Sequence, residues 1–561
     1  MTYDLKITGG TIVDGTGKPG FVGDIGIKDG KVVALGKAEG AATTTIDAKG
    51  KVVSPGFVDV HTHYDAQILW DRMLTISPWH GVTTTVIGNC GFGVAPTHAI
   101  HRKLIMQTLE KVEGMSLEAL EAGLGLDWPF ETFPQYLDTV EKRGVAINVA
   151  ALFGHTPLRL YVMGEASTER AATADEIAAM KKLVREAMDA GAIGFGTSVS
   201  VSHNGYGGKP VPSRQATVEE MDSLVSVMGE LKRGLMQITI GRDFSTKAMA
   251  EVSRKYNVPV TWTALLSYLY GPGGHRKQLD LAAEQRKSGA IVIPQVSCRP
   301  LNFELTFAEP FIFDVMKFMN ELAIEDAKSP GTRRRAYADP AWREKLRSEV
   351  TPLFRQWWDR TTIAWAPSAR ELEEMPLSEA AAKLGKDPVD LALDLSLDND
   401  LQARFRVAVM NFDEKEVAEL ITDPHTIIAL SDAGAHANQL CDACYSTYLL
   451  GHWVRDKKTI TIEEAVHNLT QRPAEMFGIT DRGVLAEGRP ADVVVFDPAT
   501  VGPGPLKRVY DLPAGADRLV ADANGIDAVI VNGRLVRQNN KDMVAANDKL
   551  PGRLLRHGRA A

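Results

Sequence analysis

The sequence predicts an α/β fold: a (β/α)8 TIM-like barrel, with a small β domain formed by both termini and a helical insertion before the last strand. Three observations carry that expectation. Between residues 55 and 481, short apolar runs alternate with amphipathic stretches, the pattern of βα units on a parallel sheet. Eight such runs can be counted, the number that closes a barrel of this kind. The chemically special residues His61, His63, Cys90, His155 and Asp432 each follow a run directly, where such a barrel collects its catalytic groups.

Residues 1–54 read as short strands and tight turns. Asp24-Ile-Gly-Ile-Lys followed by Asp29-Gly30 and Lys31-Val-Val-Ala-Leu is a hairpin pattern. The same texture returns over 482–561, in Ala491-Asp-Val-Val-Val-Phe496 and Asp527-Ala-Val-Ile-Val-Asn-Gly-Arg-Leu-Val536. The barrel strands are expected at Phe57–Val60, Thr83–Ile87, Val145–Ala151, Ala192–Thr197, Gly234–Thr239, Val258–Thr263, Ile291–Val296 and Thr426–Ser431. Helices such as Thr173–Ala190 and Thr217–Lys232 lie between them. From about 298 to 400 the rhythm breaks into a charged, helix-rich stretch containing Arg333-Arg-Arg335, read as an insertion between the seventh and eighth strands and a candidate lid.

The bulk properties narrow the class of function. With 561 residues the chain exceeds one small core, and its net charge of −8 offers no basic face for nucleic acid or an anionic membrane. No signal peptide and no bilayer-spanning run is visible. Four scattered cysteines are too few for a disulfide framework. The expectation is a cytoplasmic protein acting on a small-molecule substrate, with homo-oligomerisation left open.

Pro55-Gly-Phe-Val-Asp-Val-His61-Thr-His63-Tyr-Asp65 is the centre of the chain's chemistry. Residues two apart on a strand share a face, so both imidazoles can enter one volume, as a divalent metal requires. In Val86-Ile-Gly-Asn-Cys90-Gly91 a thiol follows the next strand inside a glycine-rich turn. Asp432 ends the apolar run Ile427-Ile-Ala-Leu-Ser, where a carboxylate needs a partner such as a metal or the water on it; a turn-capping aspartate is the competing reading. The lone pair Cys441-x-x-Cys444 reads as structural.

These motifs resemble the amidohydrolase superfamily, and within it the D-aminoacylase branch of N-acyl-D-amino-acid deacylases. The resemblance runs through most of the chain, from Asp4-Leu-x-Ile-x-Gly-Gly-Thr-Ile-Val-Asp-Gly-Thr-Gly through Gly81-Val-Thr-Thr-Thr-Val-Ile-Gly-Asn-Cys-Gly-Phe and Gly154-His-Thr-Pro-Leu-Arg159 to Arg482-Gly-Val-Leu-Ala-Glu-Gly-Arg-Pro-Ala-Asp492. It implies a barrel (55–481) with a flanking β-sandwich (1–54 and 482–561), zinc, and hydrolysis of an amide by metal-activated water. At two positions where the branch carries metal-binding histidines, this chain has Ile240 and Ala264. That leaves His61, His63, Cys90 and Asp432 as ligands for one zinc ion, Asp432 doubling as catalytic base. His155, Arg159, Arg242 and His436 are candidates for orienting substrate or stabilising an oxyanion, and the resemblance places His155 at the barrel mouth.

The expected reaction is therefore cleavage of a non-peptide amide, in an N-acyl-D-amino acid or a related acylated or cyclic amide. The altered metal shell keeps ester, lactone or carbon–carbon hydrolysis on the same fold as an alternative. A metal-free binding protein is the reading from another class, supported only by the two missing histidines.

Overall fold

In the computed structural model, which describes residues 2–241, 244–310, 313, 316–349 and 358–560, eight parallel strands run side by side in chain order. They are β1 (Phe57–Asp59), β2 (Val82–Ile87), β3 (Asn148–Gly154), β4 (Gly194–Ser198), β5 (Leu235–Thr239), β6 (Val260–Thr263), β7 (Val292–Val296) and β8 (Ile427–Ile428). A parallel bridge between Thr62 and Ala433 joins the two ends of the series and closes the barrel. The His63 N–H donates to the Ala433 carbonyl across that seam at 2.8 Å. The barrel read from alternation is the observed one.

Two strands differ instructively from the expected ones. Residues Val145–Ile147 do not join β3, because Val145 bridges Gly552 in the C-terminal segment instead, so β3 starts at Asn148. The last strand shrinks to two residues because Leu430 (φ 67°) and Asp432 (φ 44°) leave the β region, which breaks the ladder and aims Asp432.

Along β5 the two faces separate cleanly. Met236 and Ile238 join the apolar core, whereas Gln237 points the other way and donates to the Thr263 hydroxyl at 3.0 Å. Helices fill the crossovers: α1 (Arg102–Glu113), α2 (His155–Met163), α3 (Ala174–Ala190) and α4 (Val218–Leu231) matter for the site. Thr173 and Glu176 form a reciprocal capping box at the start of α3, and Thr217 caps α4, as Thr-x-x-Glu before an apolar run dictates.

Strands from both ends of the chain make a nine-stranded sheet. At its centre Val52–Pro55 pairs antiparallel with Val493–Phe496. The Val-Val-Val-Phe run is buried on both faces. Val493 and Val495 enter the core of the terminal sheet, and Val494 and Phe496 enter the core shared with the barrel. A two-stranded ribbon, Gly502–Val509 with Arg518–Asn524, completes this β region.

The second unit, Pro300–Asp413, has its own core, built on Phe307, Leu322, Tyr337, Phe405 and their neighbours. Besides five helices among the described residues it contains a three-stranded antiparallel sheet, Leu301–Thr306, Arg404–Met410 and Thr361–Trp365 in that order. The insertion is therefore α and β mixed, where a helical one was expected. Its strands are short, and dense charge hides their period.

His80, in the turn before β2, tests the folding of the first unit, Met1–Arg299 with Glu414–Ala561. Its ring is fully buried, with Nε2 2.9 Å from the Ala521 carbonyl and Nδ1 2.8 Å from the Thr447 hydroxyl. Burial pushes its pKa down to about 3. The unfolded chain takes up a proton below pH ~6.5 that the folded chain refuses, so stability falls with pH across that window, at about 1.4 kcal/mol per unit. Urea titrations at pH 7 and pH 5 are expected to show a smaller loss in a His80→Gln variant than in the wild type; equal losses would discount His80.

Candidate active site

Both histidines lie just past β1 and are held by the barrel seam. Thr62 between them turns away, donating its hydroxyl to the Val86 carbonyl at 2.8 Å, which sends His61 and His63 together to the opposite face. Their ring centroids are 5.2 Å apart. His61 is 1 % exposed and His63 7 %.

Cys90 sits in a single helical turn after β2, itself at φ 56°. Two glycines make that turn possible: a Cβ on Gly88 would lie 2.3 Å from the Leu152 carbonyl oxygen, and one on Gly91 would lie 2.6 Å from the Thr197 Cα. The Cys90 N–H donates to Gln237 Oε1 at 2.7 Å, and its Sγ lies 3.5 Å from His61 Nε2. Burial opposes a thiolate here, but the two imidazoles outweigh it and bring the thiol pKa down to about 7.

Asp432 projects from the tight turn after β8. Its Oδ1 is 3.3 Å from His61 Nε2 and 3.7 Å from His63 Nε2. Burial would raise its pKa; His63 and His61 more than compensate and hold it at about 2. Its side chain is 26 % exposed, the most open of the four. His61, His63 and Cys90 each offer a ligand atom, and these lie within 4.8 Å of one another. Two imidazoles, a thiol and a carboxylate converging from β1, β2 and β8 form a donor set that fits a zinc-like divalent ion.

The remaining expected residues fall elsewhere. His155 and Arg159, on α2, are fully buried. His155 has Nδ1 2.8 Å from the Thr197 hydroxyl and Nε2 2.7 Å from Glu220 on α4, and Arg159 donates to the other oxygen of the same carboxylate. Neither side chain is available to a substrate, a correction to their expected role; α2 begins immediately after β3, but its first turn packs inward against α4. Replacing Arg159 with Met removes the guanidinium from the buried Glu220 carboxylate, which keeps His155, and is expected to cost about 3–5 kcal/mol in denaturant titrations, with KM for a substrate unchanged; a raised KM at undiminished stability would restore the substrate role. Arg242 lies outside the described residues. His436, half-buried, stands beside the site, its N–H donating to the Glu113 carbonyl.

Four side chains complete the site without having been singled out in the sequence. Glu113, the last residue of α1, puts Oε1 3.1 Å from His63 Nδ1. Gln295 on β7 puts Oε1 2.6 Å from His61 Nδ1, and Gln237 on β5 holds the Cys90 backbone. His203, in the loop after β4, has Nδ1 2.7 Å from the Ser198 hydroxyl and its ring 5.1 Å from that of Phe92. Burial keeps His203 neutral, with its pKa near 4. A polar residue inside an apolar strand run, as in Leu-Met-Gln-Ile and Ile-Pro-Gln-Val, was the available signal for the two glutamines.

A closed parallel barrel with convergent imidazole, thiol and carboxylate groups beyond its strand ends defines a barrel hydrolase. More particularly, the chain belongs to the amidohydrolase family, whose model matches residues 44–289 and 354–537. The D-aminoacylase of Alcaligenes xylosoxydans xylosoxydans is 30 % identical over 96 % of this chain and 95 % of its own length. A D-aminoacylase structure described by the functional role of its binuclear metal centre superposes with a TM-score of 0.66 at 27 % identity, over 98 % of this chain and 99 % of the other. The N-acyl-D-glutamate deacylase of Bordetella bronchiseptica, complexed with zinc and a phosphonate mimic of the tetrahedral intermediate, gives 0.65 at 28 % identity, covering 99 % and 100 %. The chain is a hydrolase acting on carbon–nitrogen bonds other than peptide bonds.

Proposed function

We propose that the chain deacylates N-acyl-D-amino acids, using one divalent ion, zinc by preference, held by His61, His63, Cys90 and Asp432. The observation that carries this reading is the convergence of two Nε2 atoms, one Sγ and one carboxylate oxygen on a single point. The relatives named above supply the substrate class. A single ion follows from the two positions where the resemblance expects further histidines, because Ile240 and Ala264, just beyond β5 and β6, have no donor atom.

The bound ion supplies Lewis-acid activation of water and polarisation of the scissile carbonyl. The chain's own groups do the rest. His61 and His63 present Nε2 inward, and the Cys90 thiolate adds negative charge. Asp432, ionised and partly open, takes a proton from the attacking water and returns it to the departing amine nitrogen. His203 and His436, both half-buried beside His63, are placed to hydrogen-bond the substrate.

Elemental analysis of chelator-free protein, combined with a panel of N-acetyl-D- and N-acetyl-L-amino acids, tests the reading. About one equivalent of zinc and turnover confined to the D series are expected. Two equivalents would mean other residues replace the missing histidines. Metal-replete protein that cleaves none of the panel would refute the substrate class.

A further inference from the structure

We propose that Glu113 is a positioning residue that fixes which nitrogen His63 presents to the metal, as Gln295 does for His61. The inference rests on the metal site proposed above. A histidine ligand keeps one ring nitrogen for the metal and gives the other N–H to an acceptor, which sets both tautomer and ring orientation. His61 meets this requirement through Gln295, 2.6 Å from its Nδ1 while Nε2 faces Cys90 and Asp432. His63 has the same division: Nε2 toward Asp432 at 3.7 Å, Nδ1 toward Glu113 at 3.1 Å. The Glu113 contact is at ion-pair distance with an angle outside hydrogen-bond geometry, and neither atom has another hydrogen-bond partner.

The placement of Glu113 is costly unless it is used. Its carboxylate is 4 % exposed and sits at the C-terminal end of α1, where the helix dipole disfavours negative charge. No lysine or arginine pairs with it among the described residues; Lys111, two residues earlier, pairs with Glu110. The titratable groups facing it include His63, Asp65, His203 and His436. An imidazole N–H, made more acidic when the other nitrogen binds a cation, is the partner that repays such burial. The backbone of the same residue reaches the other half of the site. The Glu113 carbonyl accepts the His436 N–H, and Gly114 at φ 60° lies under that ring, where a Cβ would come within 3.0 Å of His436 Nδ1. One helix end therefore steers His63 and braces the turn that carries Asp432.

The test compares Glu113→Ala and Glu113→Gln with the wild type, reading zinc affinity by chelator competition and the absorption spectrum of the cobalt-substituted protein. Glu113→Ala is expected to weaken zinc binding about 10–100-fold and to shift the cobalt bands, and Glu113→Gln, which keeps an oxygen acceptor, to weaken it less. A folded Glu113→Ala protein with wild-type affinity and an unshifted spectrum overturns the proposal. Should that variant not fold, the isosteric Glu113→Gln decides, and wild-type behaviour in both readouts overturns it. Wild-type protein that takes up no zinc or cobalt ends the metal reading and this inference together, whereas loading of the wild type with indifferent variants ends this inference alone.

Discussion

Replacing His61 with Ala is expected to abolish retention of the metal and to lower turnover by roughly three orders of magnitude or more. His61 sits close to two of the other donor groups, with Cys90 Sγ at 3.5 Å and Asp432 Oδ1 at 3.3 Å from the same nitrogen. Its removal also leaves Gln295 without its closest partner. Cys90→Ala should lose the metal as well, while both variants keep their circular dichroism, since neither residue lies within a strand. Metal content and turnover of the two proteins, with and without added zinc, check the result. A His61→Ala protein with a full complement of zinc would remove the proposed ligand set. Metal uptake should also weaken as pH falls, because the ligands must shed protons to bind. Cys90, Asp432 and Glu113 favour the protonated imidazoles in the free protein, raising the pKa of both His61 and His63 despite their burial.

Asp432→Asn is expected to separate binding from chemistry. The amide keeps an oxygen where Oδ1 now stands but accepts no proton from water. A loss of about 10²–10⁴ in kcat with little change in KM follows if Asp432 is the general base. Steady-state kinetics on a metal-replete sample decides the point. An equal loss through KM alone would assign Asp432 to substrate or metal binding only.

Much of this site is legible in the sequence, and the reasons are local. His-x-His directly after an apolar run fixes a shared face, glycine on both sides of Cys90 announces a strained turn, and Asp432 ends a run of four apolar residues and a serine. The rest was hidden because it depends on packing between distant segments. Glu113 reads as an ordinary acid at the end of an amphipathic helix until that helix is docked beside His63. His155 and Arg159 follow a strand in the manner of catalytic groups, and only the placement of Glu220 on a later helix shows that their polarity is spent internally. The barrel count survived because alternation is a chain-wide signal, while β3 and β8 shifted where the C-terminal segment and positive φ angles intervened.

The strand Val493–Phe496, which completes two cores at once, also sets a timetable for biosynthesis. Its partner, Val52–Pro55, leaves the ribosome more than four hundred residues earlier. At roughly 5–20 residues per second that is on the order of 20–90 s. Through that interval the edge of Val52–Pro55 and the apolar face beneath it wait without their cover. Such an edge invites pairing with other nascent chains, so yield in a recombinant host should rise when translation is slowed, chaperones are abundant, or a circular permutant brings the two strands together early.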